Sequence, residues 1–90
     1  MKGAVYKKPS SVIAQELDQD LVLFDSNSEV YYSLDSVGKE FWNVALASSS
    51  VTEAVESLAA YYDADADVIR SDFKLFSKNL IESGLLEFAE

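Results

Sequence analysis

The chain has 90 residues, which suffices for one small domain with a single modest core. It contains no cysteine and no histidine, so disulfides, thiolate or imidazole catalysis and nearly all transition-metal sites are excluded. The formal net charge of −9, from 16 acidic and 7 basic residues, disfavours nucleic acid as a partner, because DNA binding depends on neutralising phosphates. The absence of cysteine and histidine removes most enzyme classes, and neither a metal nor a cofactor is expected.

Membrane association is also not expected. No apolar run approaches the roughly 20 residues that a membrane span needs, and the basic N-terminal segment lacks the apolar stretch of a signal peptide. The sequence thus predicts a cytoplasmic domain. Residues 1–10, with Lys7, Lys8 and Pro9, are predicted to be a flexible arm that precedes a domain over residues 11–90.

Three short segments after this arm have the composition of strands. Val12–Leu17, Leu21–Asp25 and Glu29–Leu34 are rich in β-branched, aromatic and aliphatic residues, and short clusters of turn-forming residues separate them. Connections this short join antiparallel neighbours, so we expect a three-stranded meander. In the third strand, the alternation places Tyr31 and Ser33 on one face and the core-facing set on the other, namely Val30, Tyr32 and Leu34.

From Asp35 onward the apolar period becomes helical. The first helix begins after Asp35 and ends near Ser48, the second is predicted to begin at an N-cap Thr52, and the third runs from Asp65–Asp67 to about Ser83. Gly84 is expected to end the third helix in the left-handed conformation. The last segment, Leu85–Phe88, is predicted to dock as a short extended tail.

Two motifs have a functional and a structural interpretation. The Asp35-Ser36-Val37 triplet fits a carrier protein with phosphopantetheine on Ser36, but it equally fits a helix start capped by Asp35, and a strand rather than a long helix precedes it. The acidic run Asp63–Asp67 imitates the start of a calcium loop. The glycine and the glutamate that such a loop requires further on are missing, so these carboxylates are interpreted as helix caps.

With three strands followed by three helices, the chain resembles the PqqD-like domains, the recognition elements of pathways that make ribosomally synthesised and post-translationally modified peptides. The resemblance covers Val12 to Leu86 and rests on the order and spacing of these features: "YYSL" at Tyr31–Leu34, then Asp35, Gly38 and Trp42, the segment Thr52–Asp65, Asp72, Phe76, and "SGLLE" at Ser83–Glu87. It departs from the family at Asp35, where asparagine is usual, and at Ser48–Ser50, where the family has a glycine-containing turn.

The resemblance implies an α+β, winged helix-turn-helix-like fold and a non-catalytic role. Such a domain binds the leader segment of a precursor peptide and serves a leader peptidase or another peptide-modifying enzyme. A free-standing copy is similar to the recognition subunit of lasso-peptide systems, where a partner protease removes the leader.

An open sheet edge gives this role a physical basis, because an extended peptide can complete it by strand addition. The cleft between the third strand and the third helix is the predicted site, and the resemblance points to the same cleft. Core packing is favoured for Tyr32 and Phe73, and peptide binding for Tyr31, Arg70 and Lys74. The full predicted set is Val30, Tyr31, Tyr32, Ser33 and Leu34 on the strand and Arg70, Phe73, Lys74 and Ser77 on the helix.

Two alternatives remain open at this point. One is the carrier protein with its prosthetic group on Ser36. The other is a winged-helix DNA-binding protein, whose recognition helix would carry only Arg70, Lys74 and Lys78 against an acidic body.

Overall fold

A computed structural model describes residues 3–89 as an α+β domain. Three helices follow a three-stranded antiparallel sheet, which confirms the fold class predicted from the sequence. A pair of very short strands joins the two ends of the chain. In chain order the elements are β1 (Tyr6–Lys7), β2 (Val12–Leu17), β3 (Asp20–Asp25), β4 (Val30–Leu34), α1 (Ser36–Ala47), α2 (Val51–Tyr62), α3 (Ala66–Glu82) and β5 (Glu87–Phe88).

The larger sheet has the strand order β2-β3-β4, so β3 is central and the other two strands are edges. A two-residue turn at 18–19 connects the β2–β3 hairpin, and Leu17 lies opposite Asp20. The β3–β4 hairpin has a four-residue turn at 26–29, and Asp25 lies opposite Val30. Asp18 and Glu29 both adopt positive φ, the left-handed conformation that tight hairpin turns require.

Tyr6–Lys7, within the segment predicted to be a flexible arm, pairs with Glu87–Phe88 in a second, two-stranded sheet. Tyr6 pairs with Phe88 and Lys7 with Glu87, and the Lys7 Nζ lies 3.5 Å from a Glu87 carboxylate oxygen. The Tyr6 ring is buried and stacks on the Phe88 ring at a centroid distance of 5.3 Å. Burial of this aromatic side chain explains why the segment is ordered. Residues 1 and 2 lie outside the described part of the chain.

The start of α1 was correctly predicted, whereas the start of α2 was not. Asp35 caps α1, since its Oδ1 accepts a hydrogen bond from the Gly38 N–H at 2.9 Å. The N-cap of α2 is Ser50 and not Thr52: the Ser50 Oγ accepts from the Glu53 N–H at 3.0 Å. The Glu53 carboxylate accepts in turn from the Ser49 N–H at 2.8 Å, a reciprocal arrangement that favours the earlier start.

The acidic run between α2 and α3 has the capping role that the sequence indicated. Asp63 ends α2 in the left-handed conformation, and the Asp65 Oδ1 accepts from the Asp67 N–H at 2.8 Å at the start of α3. Gly84, with φ of 78°, follows the end of α3 as predicted. The tail beyond Gly84 docks, because Leu85 and Leu86 are both buried.

The core lies between one face of the larger sheet and the three helices. α1 is central to it, since it contacts β3, β4, α2 and α3. The largest fully buried side chains are Leu23 from the sheet, Leu58 from α2, Phe73 from α3 and Leu85 from the tail. The helices cover β3 and β4 but not β2, where every residue after Val12 is exposed. This asymmetry leaves the two edges of the sheet in different surroundings.

Candidate functional site

The outer side of β4 is an open sheet edge, because within residues 3–89 this strand pairs only with β3. Two hydrogen bonds at the strand ends show which backbone groups point there. The Ser26 N–H donates to Ser11 O toward β2, whereas Asp25 O accepts from the Glu29 N–H on the β4 side. Backbone groups alternate in direction along a strand, so the odd residues of β3, like Asp25, bond to β4. Their partners in the pairing register are the even residues of β4. Tyr31 and Ser33 therefore direct their N–H and C=O groups to the open edge.

The side chains of β4 alternate between its two faces, with one departure from the prediction. Tyr31 is 71% exposed on the outer face, where its ring lies 4.7 Å from the Phe24 ring. Tyr32 and Leu34 are half-buried and pack against the core, as predicted. Val30 was predicted to face the core but is exposed, because it lies at the end of the strand away from the start of α1.

A groove of about 290 Å³ lies between α1 and α3. Phe41 is almost fully buried in it, and Phe76 packs edge to face on Phe41 with ring centroids 5.5 Å apart. Val37 and Leu75 are largely exposed, although both are apolar. The complete lining is Val37, Gly38 and Phe41 from α1 with Asp72, Leu75, Phe76 and Asn79 from α3. A mostly apolar groove with a few polar groups is typical of a binding site.

The Asp35 cap links the groove to the open edge. Since α1 begins two residues after β4 ends, its first turn continues directly from the edge strand. Gly38 lies in that turn, and a Cβ added to it would come within 3.2 Å of the Leu34 Cβ. The close approach of α1 to the end of β4 therefore depends on glycine at this position.

The α3 residues predicted for the site do not line this groove. Phe73 is fully buried, in agreement with the core role favoured for it, and Ser77 is also buried, with its Oγ donating to Lys74 O at 3.2 Å. Arg70 lies 3.2 Å from an Asp67 carboxylate oxygen, and Lys74 is exposed. The side of α3 that carries Phe73 and Ser77 thus faces the core, and the role of these two residues in peptide binding stays a prediction.

Four residues of α3 that line the groove were missing from the predicted site: Asp72, Leu75, Phe76 and Asn79. Their spacing is i, i+3, i+4, i+7, the pattern of one helix face. That spacing was a usable signal in the sequence. It was hidden by the parallel stripe formed by Ile69, Phe73 and Leu80, which is the core-facing one.

A metal-binding cluster and a membrane-spanning helix are both absent from the described part of the chain. Within residues 3–89 there is no group of three or more His, Cys, Asp or Glu side chains that could hold a metal ion. The same part of the chain has no helix with the length and apolar character needed to cross a bilayer. Ser36 is exposed in the first turn of α1 and directly follows the strand and the cap residue.

A three-stranded meander followed by three helices, with an open sheet edge beside an apolar groove, defines a winged-helix-like domain. Residues 20–86 match the family described as "Coenzyme PQQ synthesis protein D (PqqD)". The chain belongs to the PqqD family, and the resemblance identified from the sequence is confirmed. No curated protein sequence matches the chain significantly.

Two solved structures have a similar fold. One, described as "TbiB1 in Complex with the TbiA(beta) Leader Peptide", superposes with a TM-score of 0.83 at 27% sequence identity and covers 93% of this chain and 99% of that chain. The other, described as "Lasso peptide synthetase B1 complexed with the leader peptide", has a TM-score of 0.83 at 19% identity, with 92% of this chain and 98% of that chain covered. The second similarity shows the fold alone.

Proposed function

We propose that the protein is a non-catalytic adaptor that binds the leader segment of a ribosomal precursor peptide and presents it to a processing enzyme. The observation that carries this proposal is the open β4 edge beside the groove between α1 and α3. The similarity to a leader-peptide complex of TbiB1 supports it. A lasso-peptide type of pathway, with a leader protease as the partner, is the favoured setting.

The leader would add a fourth strand to the sheet. Tyr31 and Ser33 offer the main-chain groups for pairing, so affinity would come partly from backbone hydrogen bonds that are independent of the leader sequence. Leader residues opposite Tyr32 and Leu34 would point to the helix side of the sheet. Apolar anchors at alternate positions of the leader would then enter the groove.

The charge of the protein restricts the leader further. Among the described residues that line the groove, Asp72 is the only charged one, and the whole chain carries −9. A neutral or basic leader is therefore favoured over an acidic one. Arg70 and Lys74, which lie outside the groove lining, would contribute only where a leader carboxylate comes beside α3.

The outer face of the sheet next to β4 is the proposed contact for the processing enzyme. Tyr31 and Phe24 form a partly exposed aromatic pair on this face, with ring planes inclined at 41°, beside the place where the leader would lie. An enzyme that contacts the pair would meet the bound leader at the same time. Tyr31→Ser should then slow leader removal by the partner protease while leaving the affinity for the leader nearly unchanged.

Amide hydrogen exchange with and without leader peptide tests the docking mode. We expect added leader to protect the amides of Tyr31 and Ser33, which point to the open edge, more than any amide of β2. Protection confined to α2 or to β2 would contradict strand addition at β4. The leader used should come from a precursor peptide encoded beside this protein.

A proline scan of the two edges gives a matched pair of variants. Ser33→Pro removes an N–H from the open edge of β4 and should weaken leader binding strongly, whereas Ala14→Pro makes the same change at the open edge of β2 and should not. The tryptophan fluorescence of the buried Trp42 reports whether each variant is folded. Equal losses of affinity in both folded variants would refute the choice of edge.

The carrier-protein alternative is not favoured. Ser36 follows a β-strand, and the preceding segment is a sheet and not the long helix expected in a carrier domain. Mass spectrometry after coexpression with a phosphopantetheinyl transferase should show the unmodified mass.

A further inference from the structure

The edge strand β2 presents a second open edge. Within residues 3–89 it pairs only with β3, and from Ile13 to Leu17 every residue is exposed. Alternate side chains of a strand lie on opposite faces, so this exposure means that neither face of β2 is covered. A strand added at this edge would therefore be held mainly by pairing of main-chain groups.

Only part of the β2 edge is free to pair. The Ser26 N–H donates to Ser11 O, and backbone groups alternate in direction along a strand, so the odd residues of β2 bond to β3. The N–H and C=O groups of the even residues of β2 therefore point to the open edge. Val12 is already occupied, because its N–H donates to Pro9 O at 3.0 Å and its carbonyl accepts from the Lys8 Nζ. The N–H and C=O groups of Ala14 and Glu16 remain for an added strand.

We propose that a second copy of this chain occupies this edge, with β2 pairing antiparallel to β2 of its partner about a two-fold axis at Gln15. In this register Ala14 of each copy lies opposite Glu16 of the other, and each such pair exchanges two backbone hydrogen bonds. All the free edge groups are used. An axis at Ala14 would place the occupied groups of Val12 opposite Glu16, and an axis at Glu16 would place Ala14 opposite Asp18 in the turn, so the axis at Gln15 is favoured over both.

Side chains on the outer face are complementary in the same register. Ile13, 57% exposed, lies opposite Leu17 of the other copy, which is 51% exposed, and this apolar pair occurs twice. Gln15 meets its own copy on the axis. Cross-strand apolar pairs of this kind stabilise antiparallel sheets.

Although each copy carries −9, charges of opposite sign meet at the edge itself. The proposed register places Val12 opposite Asp18 of the other copy, and the Lys8 ammonium group lies at the Val12 carbonyl. The basic side chain of one copy is thus brought near an exposed carboxylate of the other. Glu16 already has a cationic partner, since its Oε1 lies 3.0 Å from Lys39 Nζ.

The resulting dimer has one continuous sheet in the order β4-β3-β2-β2-β3-β4. Both β4 edges stay free at its two ends, about 24 Å apart for strand spacings of ~4.8 Å. The contact consists of few residues, so the dimer is weak and depends on concentration. The inference is independent of the proposed function, because it concerns the opposite edge of the sheet.

Disulfide trapping tests the register directly, since the chain has no cysteine. In the proposed dimer Gln15 faces itself as a non-hydrogen-bonded pair, with Cα atoms about 4.5 Å apart, which suits a disulfide. Gln15→Cys should form a covalent dimer rapidly under mild oxidation. Ala14→Cys is the control. The two copies of position 14 are two residues out of register, so their Cα atoms lie farther apart than the roughly 7 Å that a disulfide can bridge, and this variant should remain monomeric. Equal cross-linking of both variants, or none in either, would overturn the proposal.

Sedimentation equilibrium of variants without cysteine provides a second measurement. Ile13→Lys alone and Leu17→Glu alone should each reduce association at high protein concentration, and the double variant should restore it by placing opposite charges across the two-fold axis. Trp42 fluorescence confirms that each variant is folded. Monomeric wild-type protein up to millimolar concentration, or a double variant as weak as the single ones, would contradict the dimer.

Discussion

Leu75 provides the sharpest test of the groove between α1 and α3. This side chain is 61% exposed, so the free protein gains little from it. Burying a whole leucine side chain stabilises by about 1.5–3 kcal/mol, and a leader that covers the exposed part would gain roughly 1–2 kcal/mol. Leu75→Ser should therefore raise the Kd for the leader by roughly 5- to 30-fold. The free energy of unfolding should change by only about 0.5 kcal/mol, because the site is on the surface.

Isothermal titration of the leader peptide into the protein measures this effect. Leu17→Ser is the matched control, because it makes the same change at a leucine that is 51% exposed on the opposite edge of the sheet. Thermal unfolding followed by Trp42 fluorescence verifies that both variants are equally stable. An unchanged Kd for Leu75→Ser, or an equal loss of affinity in Leu17→Ser, would show that the leader does not use this groove.

Three further predictions concern the helix cap, the pH dependence of stability and nucleic acid. Asp35→Ala should lower the free energy of unfolding, measured by urea titration, by about 0.5–2 kcal/mol through loss of the bond to Gly38 N–H. Ser36→Ala should leave leader binding intact in a calorimetric titration. A pantetheinylated Ser36 would contradict the structural role of this serine. Burial, and next the Glu40 carboxylate, raise the pKa of the Tyr62 phenol. As the pH rises, the unfolded chain loses this proton before the folded chain does. The contribution of Tyr62 to the free energy of unfolding is therefore present below about pH 10 and is lost as the pH rises through the folded pKa. Tyr62→Phe should lose less stability in alkali than the wild type, and identical denaturation curves would refute this. Because the net charge is −9, duplex DNA should show no sub-micromolar binding at about 150 mM salt in a fluorescence anisotropy titration.

The order of elements was predictable because its signals are local. Short turn clusters between alternating segments indicate a meander, and Asp35 between a strand and an amphipathic segment indicates a cap. The same alternation correctly placed Tyr32 and Leu34 on the core face of β4. Each of these features depends on residues within a few positions of one another.

The features that the sequence did not predict are contacts between distant parts of the chain. The pairing of Tyr6 with Phe88 joins the two ends of the domain, and a two-residue strand leaves no periodicity to detect. The orientation of α3 depends in the same way on where α1 lies against it. Two stripes run along α3, one through Phe73 and one through Leu75 and Phe76, and only tertiary packing decides that the first is buried.

The two open edges of the sheet differ in the kind of partner that each can select. The β4 edge lies next to an apolar groove, so an added strand can be chosen both by its backbone and by the side chains that enter the groove. The β2 strand is exposed on both faces from Ile13 to Leu17, and its edge offers main-chain groups with one apolar pair, Ile13 and Leu17. A peptide of another sequence would gain little specificity there, whereas an identical strand in antiparallel register provides the matching pair by symmetry. Recognition of a leader is therefore expected at β4 and self-association at β2, and the central strand β3 keeps the two processes separate.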